Sequence, residues 1–274
     1  MAVYIFRRLI QMIAVMLGVT LVVFLIMQLV PGDPARMLAG EGATPEQIEA
    51  VRQSLGLDRP MIEQYMTYLG NVLQGDLGKS MITNAPVLEE ILIRLPTTVE
   101  LALASIVVAV TIGLLAGIVS ATKQNSWADM SIMVVALLGV SMPSFWIGLM
   151  LMYYFSVELG WFPVAGWDTP AHMILPALTL GSGGAAIIAR MTRASMLEVI
   201  RQDYIRTARA KGVSRFKIIF KHALKNALIP IITVVGLQFG VLLGGTVLTE
   251  SVFAINGVGQ LVINAIRTRD LPMV

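Results

Sequence analysis

The chain has 274 residues, of which 56% are hydrophobic and 14% charged, with a net charge of +3 and a mean hydropathy of +0.77. A water-soluble domain carries about a quarter of its residues as charges and cannot expose apolar runs of this length, so the composition indicates lipid as the solvent. Cysteine is absent, which excludes disulfides, thiolate metal sites and cysteine nucleophiles. The basic residues cluster beside apolar runs and are not interleaved with aromatics, so the pI near 9.3 fits a membrane surface and excludes nucleic acid as the expected partner.

About 20 apolar residues cross the roughly 30 Å hydrocarbon layer. Taken in chain order, residues 9–30 form the first such stretch, preceded by Arg7 and Arg8. It is too long for a signal peptide and ends without a small-residue cleavage site, so residues 1–30 are expected to be a retained N-terminal span. Residues 31–96 are expected to form an external helical segment. Thr44-Pro45-Glu46-Gln47 reads as a capping box, Gly56 as the end of that helix, and a second helix over 60–73 is expected to end near Gly75. Such a segment is either a cap over the bundle or a surface offered to an external partner.

Residues 97–274 are expected to form the core, with further spans at 101–121, 130–157, 173–189 and 227–249. Pro143, within Ser141-Met142-Pro143-Ser144, is expected to kink the 130–157 span and to shape a pathway there with Ser141. Gly113 and Gly117, like Gly236, Gly240 and Gly244, recur at four-residue spacing and are expected to let helices approach closely. Gln238 and Glu250 lie in or at the end of the last span, where polar groups are costly in lipid, so both are expected to face the interior and, with Ser141 and Pro143, to be candidates for the pathway or gate, with a structural pairing the first expectation for Glu250.

Between Arg190 and Lys225 there are ten basic residues against Glu198 and Asp203. Basic loops remain in the cytoplasm, which places 190–225 and the N-terminus inside and 31–96 and 158–172 outside. Within that loop a helix over 196–212 ends at Gly212 and is too polar to cross lipid. It could act as a lever moved by a cytoplasmic partner, or lie as a basic interfacial helix on anionic headgroups.

The remaining motifs point away from chemistry. Gly75-Asp76-Leu77-Gly78-Lys79-Ser80 has two residues between Gly75 and Gly78 where a phosphate loop needs four, and it reads as a turn. His172 and His222 are placed on opposite membrane faces, so no metal pair is expected. Gly181-Ser182-Gly183 lacks the spacing of a nucleophile elbow.

The stretch Asp203-Tyr204-Ile205-Arg206-Thr207-Ala208-Arg209-Ala210-Lys211-Gly212, followed by His222 to Pro230, resembles the cytoplasmic loop of ATP-binding-cassette importer permeases, in the dipeptide, oligopeptide, nickel and glutathione branch. Val30-Pro31-Gly32-Asp33-Pro34, Leu55 to Pro60, Gly75-Asp76-Leu77-Gly78 and Ile255-Asn256-Gly257-Val258-Gly259 extend the resemblance over essentially the whole chain. It implies an all-α bundle of the type I importer permease kind in the bacterial cytoplasmic (inner) membrane, passing small peptides. Implied partners are a second related permease, two ATPase subunits and an extracytoplasmic solute-binding protein. The chain would itself be non-catalytic and bind no cofactor, with ATP and Mg on the ATPases. Asp203, Tyr204, Arg206, Thr207, Ala208, Arg209, Ala210, Lys211 and Gly212 would form the ATPase-coupling loop.

Two departures stand out. Arg206-Thr207-Ala208 replaces the Glu-Ala-Ala of the wider family, although the peptide branch commonly reads as here, and the C-terminus is expected to be incomplete, because family members have a final span after the Arg-Asp-x-Pro stretch. The alternative, an ion-gradient-driven secondary transporter or channel, would call for charged residues in mid-span or matched broken helices, and the sequence offers neither pair.

Overall fold

In a computed structural model, described for residues 2–29, 33–40, 42–245, 247–268 and 270–274, helix accounts for nearly all regular structure. Two compact units are distinguished, one of residues 1–92 with 264–274 and one of residues 93–263. The sequence expectation separated 1–30 from 31–96 and placed 264–274 with the core.

The first unit contains α1 (Ala2–Leu29), α2 (Pro34–Ala39), α3 (Pro45–Ser54) and α4 (Met61–Leu73). Of the motif Val30-Pro31-Gly32-Asp33-Pro34, the first three residues lie outside the described ones, as do the last residue of the expected 9–30 span and Arg269. Asp33 caps α2 by accepting the Ala35 N–H at 3.1 Å and pairs with Arg52 of α3 at 2.6 Å. The capping box of α3 is formed in both directions between Thr44 and Gln47.

Both expected glycine stops end a helix in the same way. Gly56 (φ +65°) and Gly75 (φ +80°) take the left-handed conformation. Leu57 N–H then returns to the Arg52 carbonyl and Asp76 N–H to that of Asn71, satisfying carbonyls that the helix ends leave open. Tyr65 on α4 meets α1 through Thr20 Oγ1 at 3.0 Å and the Phe24 ring. At the other end of the chain, buried Asp270 accepts hydrogen bonds from Ser80 Oγ and, at 2.9 Å, from Met81 N–H. The Gly75–Ser80 stretch is thus a turn held by a carboxylate, as its spacing suggested.

The second unit is built on α5 (Val87–Thr122), most of which belongs to it, and α8 (Pro170–Ile200). A methyl group at Gly181 would lie 2.8 Å from Val108, one at Gly113 2.7 Å from Ile188, and one at Gly117 2.5 Å from Thr192. The contact numbers rise together, so α5 and α8 run parallel, with backbones brought together by residues lacking a side chain. α6 (Trp127–Ser141) runs antiparallel to α8, with Asp129 meeting Arg193 and Gly139 lying near Ala186. α11 (Leu224–Gly245) packs along α8 as well.

Among the described residues, four helices are long and apolar enough to cross a membrane: Val3–Ile26, Val87–Thr122, Pro170–Ile200 and Arg215–Gly244. A fifth crossing requires joining α6 to α7 (Ser144–Leu151) and its π-helical continuation Met152–Glu158, across a bend of 106°.

That bend corrects the expectation of one kinked span over 130–157. Met142, the residue before Pro143, takes an extended conformation (φ −81°, ψ 136°), as the proline ring requires of its predecessor, and the helix stops rather than bends. The 173–189 span is longer than expected, continuing to Ile200, and the described residues of the 227–249 span are helical, in α11 and in α12 (Val247–Val252). Nor is 196–212 one helix: Gln202 is extended (φ −70°, ψ 148°) and precedes a separate α9 (Asp203–Ala210) without a side-chain cap. Gly236, Gly240 and Gly244 have nothing within 4 Å of a would-be methyl group, so the close approach expected of them is not made among the described residues.

Candidate functional site

α9 lies within the expected 190–225 loop, two residues beyond α8. Ile205 is fully buried and Ala208 nearly so, packed in one cluster with Met196, Ala223 and Ile218. These two positions, three residues apart, share the inward face of the helix. Asp203, Tyr204, Arg206, Thr207, Arg209, Ala210, Lys211 and Gly212 are exposed. The structure therefore presents the sequence-selected loop residues on one open surface, with Ala208 turned to the core.

Three further contacts fix this helix in place. Tyr204 Oη accepts from Asn226 Nδ2 of α11 at 2.8 Å. Gly212 is left-handed (φ +74°), and the Val213 N–H returns to the Ala208 carbonyl at 3.2 Å. Arg215, on the short α10 (Arg215–Lys217) that leads through a π-helical turn into α11, donates to the Thr122 carbonyl at the end of α5 at 3.3 Å. The Asp203–Arg206 pair at 3.6 Å is open to solvent and adds little stability. The outward face is thus basic, polar and held at both ends.

Of the expected pathway residues, Ser141 and Pro143 are exposed at the α6–α7 corner, Gln238 is half-buried on α11, and Glu250 is fully buried on α12. The structure does not bring the four together. It gives Glu250 the structural pairing expected of it: the carboxylate accepts from Thr98 Oγ1 of α5 at 2.9 Å and from Gln260 N–H at 2.9 Å. Gln260 is in the first turn of α13 (Val258–Thr268). Thr98 Oγ1 accepts in turn from Val258 N–H at 2.9 Å. The Ile255-Asn256-Gly257-Val258-Gly259 motif is the cradle for this group, because methyl groups at Gly257 and Gly259 would lie 2.3 Å and 2.9 Å from carboxylate oxygens. Beside it Phe253 and Ile255 are buried with Leu101 and Leu175.

A second buried cluster went unnoticed in the sequence. Asp129, 4% exposed, accepts from Arg193 Nε at 2.7 Å and Nη2 at 2.8 Å, from Asn125 N–H at 2.9 Å, and from Ser120 Oγ of α5. The signal available was weak, namely an acid and an arginine each near the end of an apolar stretch, with nothing to say that they meet. Thr98 and Ser120 are 22 positions apart on α5, or about 33 Å at 1.5 Å per residue, so the two clusters are far apart along the helix. Among the described residues, no three histidine, aspartate or glutamate side chains gather as a metal site would require.

Comparison with known proteins bears on this arrangement. Residues 91–274 match the family described as "Binding-protein-dependent transport system inner membrane component", and residues 1–102 match "Binding-prot-dependent transport system membrane comp, N-term". The chain is 47% identical over 271 residues to the glutathione transport system permease protein GsiC of Escherichia coli, covering 99% of this chain and 89% of that protein. It is 49% identical, with the same coverage, to the protein of that name from Pectobacterium atrosepticum. In fold it resembles the MetNI methionine ABC transporter in inward-facing conformations, with TM-score 0.55 and 21% identity over 64% of this chain and 79% of the other. An amino acid ABC transporter gives TM-score 0.50 and 17% identity over 66% and 80%. The chain therefore belongs to the binding-protein-dependent transport system inner membrane component family, the membrane-spanning permease subunits of ATP-binding-cassette importers.

Proposed function

We propose that this subunit carries small peptides of the glutathione class inward, and that α9 is where ATP-driven movement enters it. The relatives that are 47% and 49% identical are named for glutathione transport, which supports the cargo class. In this reading the N-terminus and the 190–225 loop are cytoplasmic, in keeping with ten basic residues between Arg190 and Lys225. A second related permease completes the pathway and a solute-binding protein delivers cargo from the other side. Two ATPase subunits bind ATP and Mg, and this chain is non-catalytic.

The observation that carries the proposal is the division of α9 into a buried face of Ile205 and Ala208 and an open face bearing Arg206, Arg209 and Lys211. Buried residues oblige the helices around them to follow when α9 is pushed, and the open residues give a partner something to push. Co-purification tests this. The ATPase subunit is expected to remain with the wild-type permease and to be lost from Arg206→Glu/Arg209→Glu, a change confined to exposed side chains. Undiminished retention by the double variant would refute the assignment of this face.

A further inference from the structure

A push on α9 reaches α8 and α11 through packing, and α5 through Ala121 of the same buried cluster. Apolar packing of this kind sets no single angle between helices, and the Asp129 cluster adds a directional tie that joins α5, α6 and α8 at one point. Its carboxylate collects donors from three directions: Ser120 on α5, Asn125 in the turn between α5 and α6, and Arg193 on α8. Asp129 itself stands in the first turn of α6, where its N–H is capped by Ser126 Oγ at 3.3 Å. Arg193 lies seven residues before the end of α8, about 10 Å along the axis, and α9 follows directly.

The form of the contact is informative. Arg193 reaches the carboxylate through two parallel N–H groups, at 2.7 Å and 2.8 Å. A fork of this kind resists rotation as well as separation, whereas a lysine would present a point charge free to pivot. One helical turn away, Gly117 lets α5 touch α8 so closely that a methyl group would stand 2.5 Å from Thr192 Cβ. α5 and α8 thus have no room to slide past one another at the end from which α9 departs, and the ion pair ties α6 to them there. A buried ion pair is a poor way to add stability compared with apolar packing, and its best-attested use is to specify one geometry.

We infer that Asp129 and Arg193 are positioning residues for transport: their forked ion pair is the rigid joint through which a displacement of α9 and α8 is passed to α5 and α6. This rests on the reading of α9 as the ATPase-docking helix. It adds that the pair governs how much transport each ATP yields, and leaves ATPase attachment unaffected.

The experiment uses the assembled importer in proteoliposomes, with glutathione as the probe cargo, and measures ATPase retention, ATP hydrolysis and uptake side by side. For Arg193→Lys, which keeps the charge and loses the fork, ATPase retention stays at the wild-type level and hydrolysis continues, while uptake per ATP falls about five- to tenfold. Asp129→Asn, close to isosteric, shows the same uncoupling and serves if the lysine variant does not accumulate. The chain has no cysteine, so Asp129→Cys/Arg193→Cys can be bridged by a short bismaleimide within one chain. The bridge is expected to restore at least about half of the lost uptake per ATP, which a merely structural role for the charges would not produce.

Wild-type uptake per ATP in both single variants overturns the inference. So does a parallel loss of hydrolysis and uptake accompanied by lowered thermal stability, because that is the signature of a damaged fold. Failure of the wild-type permease to retain any ATPase would instead count against the docking role of α9, and the two failures are therefore told apart.

Discussion

Replacing Gly257 by alanine tests the carboxylate cradle most directly. The added methyl group would stand 2.3 Å from Glu250 Oε1, 2.4 Å from Cδ and 2.5 Å from Oε2, about 1 Å inside ordinary contact, so the whole carboxylate must move. Moving it breaks the hydrogen bonds from Thr98 Oγ1 and Gln260 N–H, both at 2.9 Å. At about 1.5–3 kcal/mol for each bond to a carboxylate, Gly257→Ala should cost about 3–6 kcal/mol. Glu250→Ala should cost a similar amount, since it leaves two buried donors unanswered and opens a cavity. The backbone at Gly257 is not left-handed, so the objection to alanine is steric and disappears with the carboxylate. Gly257→Ala introduced into Glu250→Ala should therefore cost less than about 1 kcal/mol, giving a coupling of at least about 2 kcal/mol in the double-mutant cycle. Thermal denaturation of the purified complex in one detergent reads this out, at roughly 2–4 °C for each kcal/mol in a chain of this size. Additive losses would refute the cradle.

Three other outcomes follow from the same contacts. Gly117→Ala, where a methyl group would meet Thr192 Cβ at 2.5 Å, should destabilise by about 1–3 kcal/mol. Gly240→Ala, with nothing within 4 Å, should leave the isolated subunit within about 1 kcal/mol of wild type, since alanine is the better helix former; equal thermal shifts for the two would contradict the α5–α8 packing. Asp270→Asn loosens the hold on Ser80 and Met81, so trypsin should cut after Lys79 at least about fivefold faster, and an unchanged rate would show that the carboxylate does not restrain that turn. Ser141→Cys, in a chain otherwise free of cysteine, should react with a membrane-impermeant maleimide in the assembled importer at a rate within about tenfold of an exposed loop cysteine such as Asn125→Cys; protection in both the nucleotide-free and the ATP-bound state would place the corner in hydrocarbon.

What could be read in the sequence was whatever depends on local chain chemistry. Thr44 and Gln47 announce a capping box because both partners lie within one turn, and Gly56, Gly75 and Gly212 announce helix ends because few other residues take a left-handed backbone without strain. The apolar runs announce spans for the same reason. Contacts between distant segments were not legible. Asp129 looks like a first-turn acid on a helix, and Arg193 like one more positive charge in a basic loop, until α6 and α8 are seen side by side. Glu250 was singled out as costly in lipid, yet the Ile255–Gly259 motif a few residues further on gave no hint that its glycines are there to make room for that side chain. The split of 196–212 was missed because Gln202 carries none of the usual marks of a break, and the four-residue spacing from Met196 to Ala208 runs across the interruption undisturbed.

The corner between α6 and α7 has a further physical consequence. A helix that stops at Met142 and restarts at Ser144 without a side-chain cap leaves amide hydrogens of one segment and carbonyls of the other with no partner inside their own coil, and Ser141, Met142 and Pro143 are not covered by the rest of the chain. Oil cannot supply those bonds. Such an elbow must therefore rest on something wet or on a neighbouring subunit, which turns this short proline-marked interruption into a compass for which side of the bundle looks away from the lipid.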